Sequence, residues 1–208
     1  MLDKAGITAQ DKIIALGDLV DRGPDSMEVV HFFTTHKNAA CILGNHEAKH
    51  INIFWGTLKP APSQQLVIQK ITTLEHAEMV NYFESLPQYL ELDNAIIIHG
   101  MLEPDIPLKQ QQKKVLIGAT AGELLFKRKY EKPWYEYPHG DKPIIAGHHD
   151  YSGTGKPMVI NDKIFLIDTG CCYGNNLTGL LLPEFRLISV KSRKNYWGIA
   201  RQSYRKIG

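Results

Sequence analysis

Residues 13–23 read Ile13-Ile14-Ala15-Leu16-Gly17-Asp18-Leu19-Val20-Asp21-Arg22-Gly23. A short apolar run closes on Gly-Asp, the pattern of a buried strand that ends where the chain turns. Three further runs close in the same way. Cys41-Ile42-Leu43 ends at Gly44-Asn45-His46, Ile96-Ile97-Ile98 at His99-Gly100, and Ile144-Ile145-Ala146 at Gly147-His148. Ligands of open α/β sheets bind outside the carboxyl ends of the strands. Each of these ends carries a Gly, which permits a sharp turn and a close approach of backbones. Taken singly, each polar residue here is an ordinary turn or core residue. Together they would need four strand ends to present a ligand type by chance. Imidazole, carboxylate and amide oxygen without thiolate suit Mn, Fe, Zn or Co better than an all-oxygen Mg or Ca cage.

The flanking sequence alternates helix and strand. Residues 26–36 set Met27, Val30 and Phe33 at helical spacing, with Asp25 or Ser26 as cap. Residues 12–16 and 39–43 read as strands. Residues 63–85 read as one or two helices, stopped by Leu86-Pro87. Strands follow at 89–92 and 95–98, a helix at 121–130, and a loop rich in Pro, Gly and aromatics at 133–141. Residues 143–146, 158–160, 163–167, 178–182 and 185–190 read as strands, with Asn161-Asp162 as a tight hairpin. Alternation early and hairpins late predict α/β with a mixed, layered sheet.

The chain has 208 residues, so one domain over 1–208 is expected. Lys and Arg number 24 against 22 Asp and Glu. That near balance gives no support to a dedicated nucleic-acid surface. The basic stretch 191–208, with Tyr196, Trp197 and Tyr204, reads as a solvated terminal strand or helix. No apolar run approaches the roughly 20 residues that span a bilayer, and residues 1–6 carry no secretory pattern. Cys41, Cys171 and Cys172 are an odd set without a C-x-x-C pair, which points to a reducing cytoplasm.

Gly17-Asp18-Leu19-Val20-Asp21-Arg22-Gly23 and Gly44-Asn45-His46-Glu47 resemble the second and third signatures of the calcineurin-like metallophosphoesterases. More narrowly they resemble the PPP-type phosphatases, which include small bacterial protein phosphatases and diadenosine-tetraphosphate hydrolases. His99-Gly100 and Gly147-His148 match the later signatures in order. Asp168-Thr169-Gly170-Cys171 with Leu177-Thr178 resembles the closing strand of the bacterial branch. The resemblance runs over residues 3–190. It implies a four-layer α/β/β/α sandwich with mixed sheets. It also implies two divalent metal ions, Mn first, with Fe, Zn, Co or Ni as alternatives. Asp18 would bridge the two, and Asn45, His99 and His148 would complete one site. His46 would be the general acid, Asp21 its orienting partner, and Arg22 a phosphate-binding fork; Arg128 resembles a second phosphate-binding Arg. The substrate implied is a phosphorylated Ser/Thr protein or a dinucleoside polyphosphate, and the oligomeric state stays open.

The family's first signature, Gly-Asp-x-His-Gly, is expected some two dozen residues before Gly17. Residues 1–16 hold no Asp-x-His, and Asp3 is followed at that spacing by Ala5. Residues 2–8 instead resemble the end of the first helix and the turn after it. The expectation is therefore a domain without its first strand and without the first metal's own ligands. The alternative function is a non-catalytic form that binds one metal or a phosphorylated ligand. His149 rivals His148 as ligand. His31, His36, His50, His76 and His139 have no evident partner and read as surface or core residues. Residues 152–156 read as a hairpin or active-site loop, Cys171-Cys172 as small buried residues. Trp55, Trp134, Tyr135 and Tyr137 read either as a base-stacking surface or as a packed lid.

Overall fold

The apolar runs become short strands. In the computed structural model, which describes residues 1–205, β1 (Ile13–Ala15) pairs in parallel with β2 (Ala39–Cys41). A five-stranded sheet follows, built from β3 (Tyr89–Glu91), β4 (Ile96–Ile98), β5 (Ile144–Ala146), β6 (Met158–Ile160) and β7 (Ile164–Leu166). Its order is β3-β4-β5-β7-β6, with β4, β5 and β7 parallel and the two edges antiparallel. β8 (Asn176–Leu181) and β9 (Arg186–Lys191) form an antiparallel hairpin. The helices are α1 (Leu2–Ala5), α2 (Ser26–Thr35), α3 (Asn45–Phe54), α4 (Pro62–Ile68), α5 (Thr73–Ser85), α6 (Lys113–Leu116), α7 (Thr120–Lys129) and α8 (Tyr196–Arg205).

Two-residue alternation along the strands sorts their side chains into layers. Ile96, Ile98, Ile144, Ala146, Ile164 and Leu166 pack with Val115 and Leu116 of α6, Phe126 of α7 and Trp134. The opposite face, Ile97, Ile145 and Phe165, meets Ile14 and Ile42 on one side and Leu180 and Leu187 of the hairpin on the other. Ala15 and Cys41 point the other way, into a cluster with Val30 of α2 and Met79 and Phe83 of α5. The order is thus helix, sheet, sheet, helix, the four layers expected. The inner layer opposite the five-stranded sheet is in two pieces. Among the described residues no strand links β1-β2 to β8-β9 by hydrogen bonds. Residues 2–8 form the helix end and turn that their sequence resembles: α1 closes on Gly6 at φ 69°.

Local rules account for most boundaries. α5 begins at Thr72, whose Oγ1 accepts from Glu75 N while the Glu75 carboxylate accepts from Thr72 N at 2.7 Å. It ends before Pro87, which lacks an N–H to continue it. Pro62 opens α4, where a missing N–H costs nothing, so residues 63–85 hold two helices. Trp134 belongs to the core: it is 2% exposed and its Nε1–H donates to Tyr151 Oη at 3.1 Å. It packs, and it offers no face to a base. Cys171 and Cys172 are half-buried free thiols in a turn, and only Cys41 is buried. The basic tail holds α8, and residues 206–208 lie outside the described residues. No helix among the described residues is long and apolar enough to cross a membrane.

Candidate active site

The ends of β1, β2 and β4 meet because glycine lets them. Gly17 sits at φ 85°, and a Cβ there would stand 2.7 Å from Gly44 Cα and 2.8 Å from His99 Nδ1. Glu47, fully buried in the first turn of α3, ties the ends together. Its carboxylate accepts from Asp18 N at 2.9 Å, Leu19 N at 2.6 Å and Gly44 N at 3.0 Å.

Four candidate ligands converge there. Asp18 Oδ1 lies 3.3 Å from His99 Nε2. One atom of the Asn45 amide lies 3.1 Å from His99 Nε2, 3.2 Å from Asp18 Oδ1 and 3.2 Å from His148 Nδ1. Both imidazoles turn a lone pair inward. His99 Nδ1 is 2.5 Å from Leu16 O, and a carbonyl only accepts, so Nδ1 carries the proton and Nε2 is bare. His148 Nε2 is 2.8 Å from Glu123 Oε1, which leaves Nδ1 bare in the same way. The other atom of the same amide lies 3.1 Å from Lys49 Nζ. With a cation, the amide oxygen is the group that faces it. Two imidazole nitrogens, a carboxylate and an amide oxygen fit a divalent transition metal, and Asp18, His99 and His148 are close enough to share one ion.

Beside the cluster stands a buried pair. His46 Nδ1 lies 2.5 Å from Asp21 Oδ2, and His46 Nε2 is 4.0 Å from Asp18 Oδ2. The family pattern of the calcineurin-like phosphoesterases covers residues 1–176.

The chain belongs to the calcineurin-like phosphoesterase family.

It is therefore a metal-dependent phosphoester hydrolase. It is 34% identical over 203 residues to the bis(5'-nucleosyl)-tetraphosphatase PrpE (asymmetrical) of Oceanobacillus iheyensis, covering 89% of this chain and 79% of that one. It is 30% identical over 210 residues to the PrpE of a Geobacillus strain, with 89% and 81% covered. A solved structure described as a candidate diadenosine tetraphosphatase shares the fold. Its TM-score is 0.75 at 24% identity, over 92% of this chain and 85% of that one.

In this phosphoesterase Asp21 is fixed from three sides. His50 Nε2 reaches its Oδ1 at 3.0 Å, and the Gln64 amide bonds its Oδ2 next to His46. Burial alone would raise the Asp21 carboxyl. The bonds from His46 and His50 outweigh that and hold it well below the usual carboxylate range. His99, His46 and His148 likewise outweigh burial at Asp18 and lower it. Burial, with His99 and His149 nearby, pushes His148 down to about 4.

Four of the eight non-glycine residues with positive φ among the described residues are site residues: Asp18, Asp21, Arg22 and His148. Such backbone costs on the order of 1–3 kcal/mol each and persists where neighbours over-determine it. Arg22 leaves this bend with its guanidinium 5.7 Å from the ring centroid of Tyr173.

The sequence-predicted residues Asp18, Asn45, His46, His99, His148 and Asp21 come together, with Arg22 next to them. Arg128 stands elsewhere, on a groove with Lys114, Leu124, Leu125 and Lys129, and makes no hydrogen bond or ion pair to the cluster. His148 rather than His149 faces Asp18. His149 is half-exposed and meets Glu123 at 3.1 Å. The sequence pattern offers His50 no partner and marks no role for Glu47 or Glu123. Two signals were available: Glu47 lies three residues after Gly44 at capping spacing, and His50 lies one helical turn after His46.

Proposed function

We propose that the chain hydrolyses dinucleoside polyphosphates, with Asp18, Asn45, His99 and His148 holding a divalent metal and His46 protonating the leaving oxygen. A metal held by these residues would polarise the phosphoryl oxygens and the attacking water. Manganese is the first metal we assign, with Fe, Zn and Co also matching the mixed nitrogen and oxygen donors. The observation that carries the reading is the pairing of His46 Nδ1 with Asp21, beside the Asp18 cluster. The Asp21 carboxylate on Nδ1 orients the ring so that Nε2 is the nitrogen nearer Asp18. A proton carried on Nε2 is the one a departing phosphate or nucleotide oxygen needs. Arg22 supplies a planar fork for two phosphate oxygens, which a lysine cannot match. Arg128 stays a candidate second phosphate contact by resemblance only, on the α7 groove apart from the cluster.

The named activity of the PrpE relatives favours a dinucleoside polyphosphate over a phosphoprotein. The whole chain, 1–208, is taken as one catalytic domain. The free thiols fit a reducing cytoplasm. The test is turnover of diadenosine tetraphosphate against a phosphoserine peptide by the intact chain with Mn2+. The expected result is at least a tenfold higher kcat/KM for the dinucleotide, about 1.4 kcal/mol of discrimination. Preference for the peptide overturns the substrate assignment.

A second reading, a one-metal form without turnover, is favoured by one observation. Among the described residues, the donors gathered at Asp18, namely Asp18, His99 and His148, are close enough to share one ion. Metal uptake measured beside turnover separates the two readings. One ion per chain with no hydrolysis supports the second.

A further inference from the structure

We propose that Glu123 is a positioning residue: its carboxylate accepts a hydrogen bond from the Nε2–H of His148 and so holds the bare Nδ1 toward Asp18 and Asn45. This rests on the reading that the Asp18 cluster holds a metal.

His148 needs such support. Its backbone is at φ 74°, at the end of a strand only three residues long. Gly118 makes room for the ring, since a Cβ there would lie 2.7 Å from three of its atoms. His99 meets it edge-on, with ring centroids 5.0 Å apart. Neither contact decides which nitrogen carries the proton. Glu123 does, because its Oε1 lies 2.8 Å from Nε2 and an ionised carboxylate only accepts.

The same oxygen also takes His149 Nε2 at 3.1 Å, so a rival arrangement exists. Glu123, His148 and His149 are themselves close enough to share a cation. The two arrangements exclude each other at neutral imidazole. A lone pair on Nε2 for the outer group puts the proton on Nδ1, facing Asn45 and Asp18, and removes His148 from the inner cluster. The inner cluster has three further donors converging on Nδ1. The outer one offers a half-exposed imidazole and a carboxylate. The inner arrangement therefore holds, with His149 as an outer donor to a carboxylate already engaged.

The experiment is equilibrium dialysis of the intact chain against Mn2+, with the visible absorption of bound Co2+ as a second readout. Thermal unfolding of the metal-free proteins serves as the fold control. Glu123→Ala is expected to bind the metal on the order of 10- to 100-fold more weakly and to shift the Co2+ spectrum. Glu123→Gln keeps an acceptor oxygen but not the charge, so its loss is expected to be smaller. It also carries the test if the alanine variant does not fold. His149→Ala is expected to keep wild-type affinity. Undiminished affinity in Glu123→Ala, or in a Glu123→Gln that must stand in for it, overturns the proposal. So does an equal loss in His149→Ala, which would make the outer trio the metal site. A wild-type chain that takes up neither ion overturns the metal reading itself, and this proposal with it.

Discussion

His46 Nδ1 stands 2.5 Å from Asp21 Oδ2, with both side chains buried. The pair joins two ends of the chain's own logic. Asp21 comes from the bend after β1, and His46 from the first turn of α3. The carboxylate is charged because His46 and His50 hold it so, and the imidazole is oriented by a carboxylate that His50 and Gln64 also bond.

Stability should follow the protonation of Asp21. Its folded pKa lies below the unfolded value of about 3.9. The folded chain thus binds the proton less readily than the unfolded one. The contribution is complete above the unfolded pKa and is lost as pH falls through the folded one. Asp21→Asn should lower stability at pH 7 by about 3–5 kcal/mol, the usual effect of breaking a buried pair. The gap should begin to narrow as the pH falls below about 4, where the unfolded carboxyl takes its proton, and go on narrowing toward the lower folded value. Calorimetric unfolding of both proteins from pH 7 to pH 3 checks this, and a gap that stays constant would count against it.

The Glu47 carboxylate accepts from three backbone N–H groups. Glu47→Ala should orphan them in a buried space and cost several kcal/mol, at about 1–3 kcal/mol per unsatisfied group. Urea titration of the metal-free protein reads this directly. A midpoint equal to wild type would show that the strand ends are held by something else.

Arg22→Lys should keep the charge and lose the fork. A charge-assisted bidentate contact is worth roughly 1.5–3 kcal/mol, or about 10- to 100-fold in kcat/KM. The melting temperature should stay near wild type, since Arg22 is only half-buried. Steady-state kinetics on diadenosine tetraphosphate would show the loss, and full activity in the lysine variant would remove Arg22 from phosphate binding.

The strand ends were legible because an apolar run followed by Gly and one polar residue has few other folds available. Asp18, Asn45, His99 and His148 were found on that pattern and meet within hydrogen-bonding distances. α3 was not legible, and the reason is physical. Its buried face is Asn45, His46, Glu47 and His50, so a search for apolar residues at helical spacing passes over it. His50 and Gln64 gain their meaning from Asp21, 29 and 43 residues away. Glu123 gains its meaning from His148, 25 residues on. Such pairings exist only in the folded chain. Trp134 left two readings open in sequence, and the hydroxyl of Tyr151 settled it as core by giving the buried indole N–H a partner.

The most direct test of the account is Mn2+-dependent hydrolysis of diadenosine tetraphosphate by this chain, run beside His46→Ala with metal uptake measured on both. The account predicts no turnover in chelator-stripped protein and recovery on adding Mn2+. In His46→Ala it predicts a kcat lower by roughly 10²- to 10⁴-fold at unchanged metal uptake. A folded wild-type chain that binds Mn2+ and hydrolyses nothing, or a His46→Ala variant at full rate, would contradict it.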